Sequence, residues 1–113
     1  MAKLKLNAWG REHQITLHTN TYANNGNLYV GMDCWEDIGN GEYAEPWGDL
    51  TVNLGFKCKP NCAFIDVNDN GAEIISWLIA NKLGKPTGLL MPSGFCMYPE
   101  FEFDMNEVQK YVE

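Results

Sequence analysis

Serine is confined to Ser76 and Ser93, and Lys and Arg number 8 against 15 Asp and Glu. The first scarcity leaves no nucleophile at a spacing that suggests a catalytic constellation with His13 or His18. The second gives a net charge of −7 and disfavours direct nucleic-acid binding, because a phosphate backbone must be neutralised by cations. No apolar run approaches the length of a membrane span, so no membrane association is expected. None of signal-peptide length follows Lys3 and Lys5. The chain is therefore expected to be cytoplasmic, with Cys34, Cys58, Cys62 and Cys96 reduced. Internal repeats, linkers and low-complexity segments are absent as well.

What the chain does contain is enough for a core. It has 113 residues, 45% of them hydrophobic and 12% aromatic. A chain of this size buries about 65% of its unfolded surface, which fits one domain over residues 1–113.

Leu4, Leu6 and Ala8 alternate with Lys5, Asn7 and Trp9, the period of a half-buried strand. Gly10-Arg11 fits a two-residue turn that would pair Leu6 with Ile15 and Leu4 with Leu17. Asn25-Gly26 is a second hairpin signal. Centring the turn there sets Leu17 opposite Cys34, Thr19 opposite Met32 and Thr21 opposite Val30 on the inner face. On the other face it sets His18 opposite Asp33 and Tyr22 opposite Tyr29. Residues 37–48 hold three Gly and one Pro with no periodicity, and are expected to form a long loop. Further strands are expected over 50–54, 63–67, 88–91 and around Phe101 and Phe103.

The one long amphipathic helix is expected at about 70–83. Asn70 suits the N-cap, Glu73 completes a capping box, and Ile74, Ile75, Leu78 and Ile79 share a face. Gly84 and Pro86 end it. Asp104 suits the cap of a short C-terminal helix carrying Met105, Val108 and Val112. The fold class is then α+β: an antiparallel, meander-like sheet packed by one main helix, plus the short terminal one.

Three constellations bear on chemistry. Residues 66–71 match the first half of a calcium loop, but its twelfth position is Trp77, so a helix-capping turn is the expected role. Cys58 and Cys62 are spaced for one half of a zinc site and lack a second pair of ligands, so reduced, partly buried thiols are expected and no cofactor or metal. His18 beside Asp33 is expected to be a cross-strand pair. Six carboxylates lie between Asp33 and Asp49 with no Lys or Arg among them, flanked by Trp35 and Trp47, and a second acidic run comprises Glu100, Glu102, Asp104 and Glu107. Aromatic residues beside acids mark protein-binding surfaces. Trp35, Asp37, Glu42, Glu45, Trp47, Asp49, Tyr22 and Tyr29 are therefore the candidate partner-binding residues.

The stretches NAWGREHQITL, NGNLYVGMDCWED, EPWGDLTVNLG, CAFIDVNDNG, GKPTG and SGFCMYPEFEFD resemble a family of small proteins whose domain has no assigned function. The family occurs in gut Firmicutes, often on plasmids and conjugative elements. The resemblance spans nearly the whole chain and carries over no catalytic residue. It implies an accessory factor of a mobile element. With the composition, it leaves a non-enzymatic protein-binding role as the first expectation. An anti-restriction or anti-CRISPR inhibitor that mimics DNA is the second, and a small enzyme the third.

Overall fold

The computed structural model describes residues 2–37, 39 and 41–112. Apolar alternation builds strands β1 (Leu4–Ala8), β2 (Arg11–Thr21) and β3 (Leu28–Asp37) in antiparallel order. Both hairpins differ by two residues from the expected register. In the first, Trp9 and Gly10 fill the turn with φ of 52° and 77°, so Leu4 faces Ile15 and Leu6 faces His13. In the second, the loop is longer: Gly26 N–H donates to the Tyr22 carbonyl at 2.8 Å and Tyr22 N–H to that of Asn27 at 2.9 Å. Leu17 then faces Met32, Ile15 faces Cys34 and His18 faces Gly31. A shift of two residues leaves each side chain on its own side, because the pleat repeats every two. Ile15, Leu17, Val30, Met32 and Cys34 are accordingly buried on one face.

The stretch expected as a loop is mostly strand. β4 (Glu42–Asp49) pairs with β3 and forms the edge of a four-stranded sheet ordered β1-β2-β3-β4. Ile38 and Asn40, within the expected loop, lie outside the described residues. Six of the eight β4 residues are exposed, so no burial pattern marked it in the sequence. Pro46 is tolerated because an edge strand can spare a ladder donor. Its register with β3 shifts at Met32 and Asp33, which leaves Trp47 as the extra residue of a bulge.

A second antiparallel sheet follows, made of β5 (Thr51–Val52), β6 (Cys62–Ile65), β7 (Gly84–Ser93) and β8 (Cys96–Phe103) in the order β5-β6-β8-β7. The strand expected over 50–54 shrinks to two residues, and that expected over 88–91 grows into a long hairpin arm. The fold is largely β, two sheets rather than one sheet under a main helix. The expected helix is in fact two short ones, α1 (Val67–Asn70) and α2 (Ile74–Ala80), separated by Gly71 at φ 83°. Asp66 caps α1 by accepting from the Asp69 N–H at 3.1 Å, whereas Asn70 is its last residue and Glu73 makes no side-chain cap. At the far end Lys82, not Gly84, takes the left-handed conformation, with φ 62°. The terminal helix α3 (Met105–Val108) has the expected cap: the Asp104 side chain accepts from the N–H groups of Asn106 and Glu107.

Ile74 and Leu78 of α2, Ile65 of β6, and Phe101 and Phe103 of β8 join the buried face of the first sheet in one core. Val112 bridges to Leu17 on the β2 edge that β1 leaves free, which brings the C-terminal segment onto that sheet. Cys58, Cys62 and Phe64 form a smaller cluster beside it. No helix among the described residues is long and apolar enough to cross a membrane.

Glycine is required where backbones touch. A Cβ on Gly84 would run into the Glu102 carbonyl oxygen of β8, while one on Gly10 would meet nothing within 4 Å. Gly84→Ala should therefore cost at least about 2 kcal/mol through overpacking and a shifted β7–β8 ladder. Gly10→Ala should cost only the ~1 kcal/mol of a left-handed alanine. Urea unfolding of the two variants checks the order.

Candidate functional site

Three of the four tryptophans converge on one groove. It crosses the inner face of the first sheet from β1 to β4 and is closed by α1 and α2, with a volume of about 910 Å³. Trp9 comes from the first turn, Trp47 from the β4 bulge and Trp77 from α2. Trp9 is 87% exposed and stands 5.3 Å from Trp47, ring to ring. The Trp47 ring lies 4.5 Å from that of His13, and Trp77 is fixed by its indole N–H donating to the Lys5 carbonyl at 2.7 Å. Asp69 and Glu73, both exposed, supply carboxylates on the helical side. Among the described residues, no Lys or Arg lines the groove. Asn70 holds the helical wall to the sheet by donating to the Asp49 carbonyl at 2.8 Å.

The opposite face of the sheet carries a polar network. His18 Nδ1 lies 2.9 Å from Asp33 Oδ2, its Nε2 lies 3.2 Å from the Tyr29 hydroxyl, and Tyr29 donates to Asp49 at 2.5 Å. Gly31 makes this possible, since a Cβ there would collide with the Tyr29 hydroxyl and the His18 ring. His18 therefore meets Asp33 although its strand partner is Gly31. Tyr22 stacks edge-on against Tyr29 at 5.7 Å and shares its own hydroxyl with Thr51. Trp35 is pinned flat on this face, donating to Thr16 at 2.8 Å under the Lys3 ammonium, which reaches on to Glu42 at 2.7 Å.

The eight candidate partner-binding residues are thus not one patch. Trp47 reaches the groove, and Asp49 borders it through its backbone carbonyl while its carboxylate accepts from Tyr29 on the opposite face. Trp35, Asp37, Glu42, Tyr22 and Tyr29 belong to the opposite face, and Glu45 pairs with Cys34 across β3 and β4. Trp9, Trp77, Asp69 and Glu73 are groove residues that sequence patterns passed over. Their signal was weak because they are distant in the chain and only the sheet-to-helix packing gathers them.

Among the described residues one group offers three ligand-type atoms within 4.8 Å of one another: His13, Cys34 and Glu36. All four cysteines are free. Cys58 and Cys62 lie with Phe64 in the smaller cluster, and residues 66–71 form the capped turn of α1.

Burial pushes the thiols of Cys34, Cys58 and Cys62 up, Cys58 to about 11, with neighbouring carboxylates adding to the effect. Burial also raises the Tyr22 and Tyr29 hydroxyls, and at Tyr29 the Asp49 carboxylate reinforces it. Groups that hold protons more tightly when folded add stability below their unfolded pKa and lose it as pH rises through the folded value. Stability should therefore be steady with respect to these groups near neutrality and fall from about pH 9 upward, where free thiols begin to ionise. Urea midpoints from pH 7 to 11 test this, and Cys58→Ser should flatten part of the slope.

No curated protein and no solved structure matches the chain. A family model described as a domain of unknown function (DUF4313) matches residues 16–113, from the middle of β2 through α3, which takes in both sheets and both walls of the groove apart from β1 and the Trp9 turn. The chain belongs to the DUF4313 family.

Proposed function

We propose that the protein is a non-enzymatic accessory factor that binds a basic segment of a partner protein in the tryptophan groove. The single observation that carries this is the lining itself: three indoles and the carboxylates of Asp69 and Glu73, with no cation among the described lining residues. Indole faces attract ammonium and guanidinium groups by their quadrupoles, and exposed Asp69 and Glu73 add a charge that favours the same occupant. Lys or Arg side chains laid against the exposed Trp9 ring satisfy both. Such a role is in keeping with the accessory factor the resemblance implies.

Phosphate mimicry is served less well. It needs the acids on one continuous face, and the sheet divides them. Asp33, Asp37, Glu42 and Asp49 alternate away from Glu36 and Glu45, and Glu100 and Glu102 belong to the second sheet. An enzymatic reading would look to His18. Its ring nitrogens engage Asp33 and Tyr29 on the sheet face opposite the groove.

Titration with a Lys/Arg-rich octapeptide, followed by tryptophan fluorescence, tests the reading. The emission should change saturably, and the affinity should weaken as salt is added. Trp9→Ala should weaken binding about five-fold, the effect of ~1 kcal/mol of lost cation–π contact, with stability nearly unchanged because Trp9 is exposed. A Glu-rich octapeptide that binds equally well would sink the proposal.

A further inference from the structure

Behind the tryptophan wall, three strands bring together groups with more lone pairs than protons. His13 is buried on β2, Cys34 is buried opposite Ile15 on β3, and Glu36 lies two residues along the same side of β3. His13 Nε2 stands 3.2 Å from the Ala8 carbonyl oxygen. A carbonyl only accepts, so Nε2 carries the proton and Nδ1 presents its lone pair inward. That lone pair faces Cys34 Sγ at 3.9 Å, and Glu36 Oε1 faces the same sulfur at 3.6 Å. One thiol proton cannot serve both acceptors. Glu45, the β4 partner of Cys34, adds a further carboxylate nearby. Among the described residues, the cation in contact is Arg11, which donates to Glu36 at 3.1 Å from the solvent side.

We propose that His13 Nδ1, Cys34 Sγ and Glu36 Oε1 form a binding site for a zinc-class divalent ion. The spacing suits the ion. Bonds of about 2.3 Å to sulfur and about 2.0–2.1 Å to nitrogen or oxygen, at tetrahedral angles, set neighbouring ligand atoms about 3.6 Å apart. The Cys34–Glu36 separation is already at that value, the Cys34–His13 separation needs to close by a few tenths of an ångström, and the His13 and Glu36 atoms lie within 4.8 Å of each other and draw together on binding. The donor set of one imidazole, one thiol and one carboxylate selects a borderline ion over magnesium or calcium, which prefer oxygen alone. The Ala8 carbonyl acts as the outer partner that fixes the imidazole, and Arg11 does the same for Glu36, whose carboxylate has lone pairs for both. On binding, the metal–sulfur bond replaces the S–H bond and the proton leaves to solvent. Water or Glu45 completes the four ligands. Entry is from the Glu36 end, since that side chain is the only one of the three with appreciable exposure. The Trp47 ring against His13 then makes one wall common to this site and the groove. The site does not depend on the groove having a peptide ligand.

The test uses the full chain, reduced and stripped with a chelator, then titrated with Co(II). One equivalent should produce the near-ultraviolet absorption of thiolate-to-cobalt charge transfer, and Zn(II) should displace it stoichiometrically. Cys34→Ser should abolish the band, the Cys58→Ser/Cys62→Ser double variant should keep it, and Glu36→Gln should weaken Co(II) binding at least ten-fold. If Cys34→Ser does not fold, judged by near-ultraviolet circular dichroism, position-resolved alkylation of the wild-type chain decides instead. Zn(II) should then protect Cys34 and leave Cys96 as reactive as before. Absence of the band in the wild-type chain overturns the site. So does a band that survives in folded Cys34→Ser, or protection that falls on Cys58 and Cys62 rather than Cys34.

Discussion

The chain changes sheets at residues 49–51, and the arrangement of everything else follows from how tightly that corner is held. Leu50 N–H donates to the Val30 carbonyl, and the Val30 N–H donates to the Thr51 hydroxyl, so β3 grips the corner from one side. The Asp66 N–H donates to the Leu50 carbonyl and Asn70 to that of Asp49, so the start of α1 grips it from the other. Leu50 and Thr51 are buried, where each unmade hydrogen bond would cost about 1–3 kcal/mol. The corner thereby joins two sheets that would each be too small to bury a core alone, and it sets where the helices stand.

Because α1 and α2 are anchored at the corner, they close one end of the inner face of the first sheet. That end is where the core runs out. Ile15, Leu17 and Met32 share the buried core with Leu78 and Phe101, whereas Trp47 is only partly buried at its margin, against His13. The result is a buried apolar centre with an aromatic and acidic margin. The charges are also placed against misassembly. β4 is an unpaired edge, and Glu42, Glu45, Asp49 and Pro46 on it discourage pairing with other chains, as acids and proline do on natural sheet edges.

Legibility in the sequence followed burial. β1, β2 and β3 each have one wet and one dry side, and their alternation gave both the strands and the inward faces of Leu17 and Cys34. The registers were two residues out because the turns are made by Trp9-Gly10 and by the loop ending at Gly26, and turn geometry depends on which residue can bear a positive φ. β4 and the outer half of β7 are exposed on both sides, so they carried no period. The helix over 70–83 was an overreading of a good apolar stripe. Gly71 costs little locally, and only the need to aim Asn70 at the Asp49 carbonyl shows why the break is there.

By itself the sequence determined the apolar stripes, the cap at Asp104 and the acidic balance. Those are short-range properties, fixed by side-chain chemistry and by residues a few positions apart. Tertiary structure alone decided that there are two sheets, that Trp9, Trp47 and Trp77 line one groove, and that ligand atoms of His13, Cys34 and Glu36 gather within 4.8 Å of one another. Those placements bring together residues up to 68 positions apart (Trp9 and Trp77), and they arise only once the corner at Leu50 has placed one layer on the other.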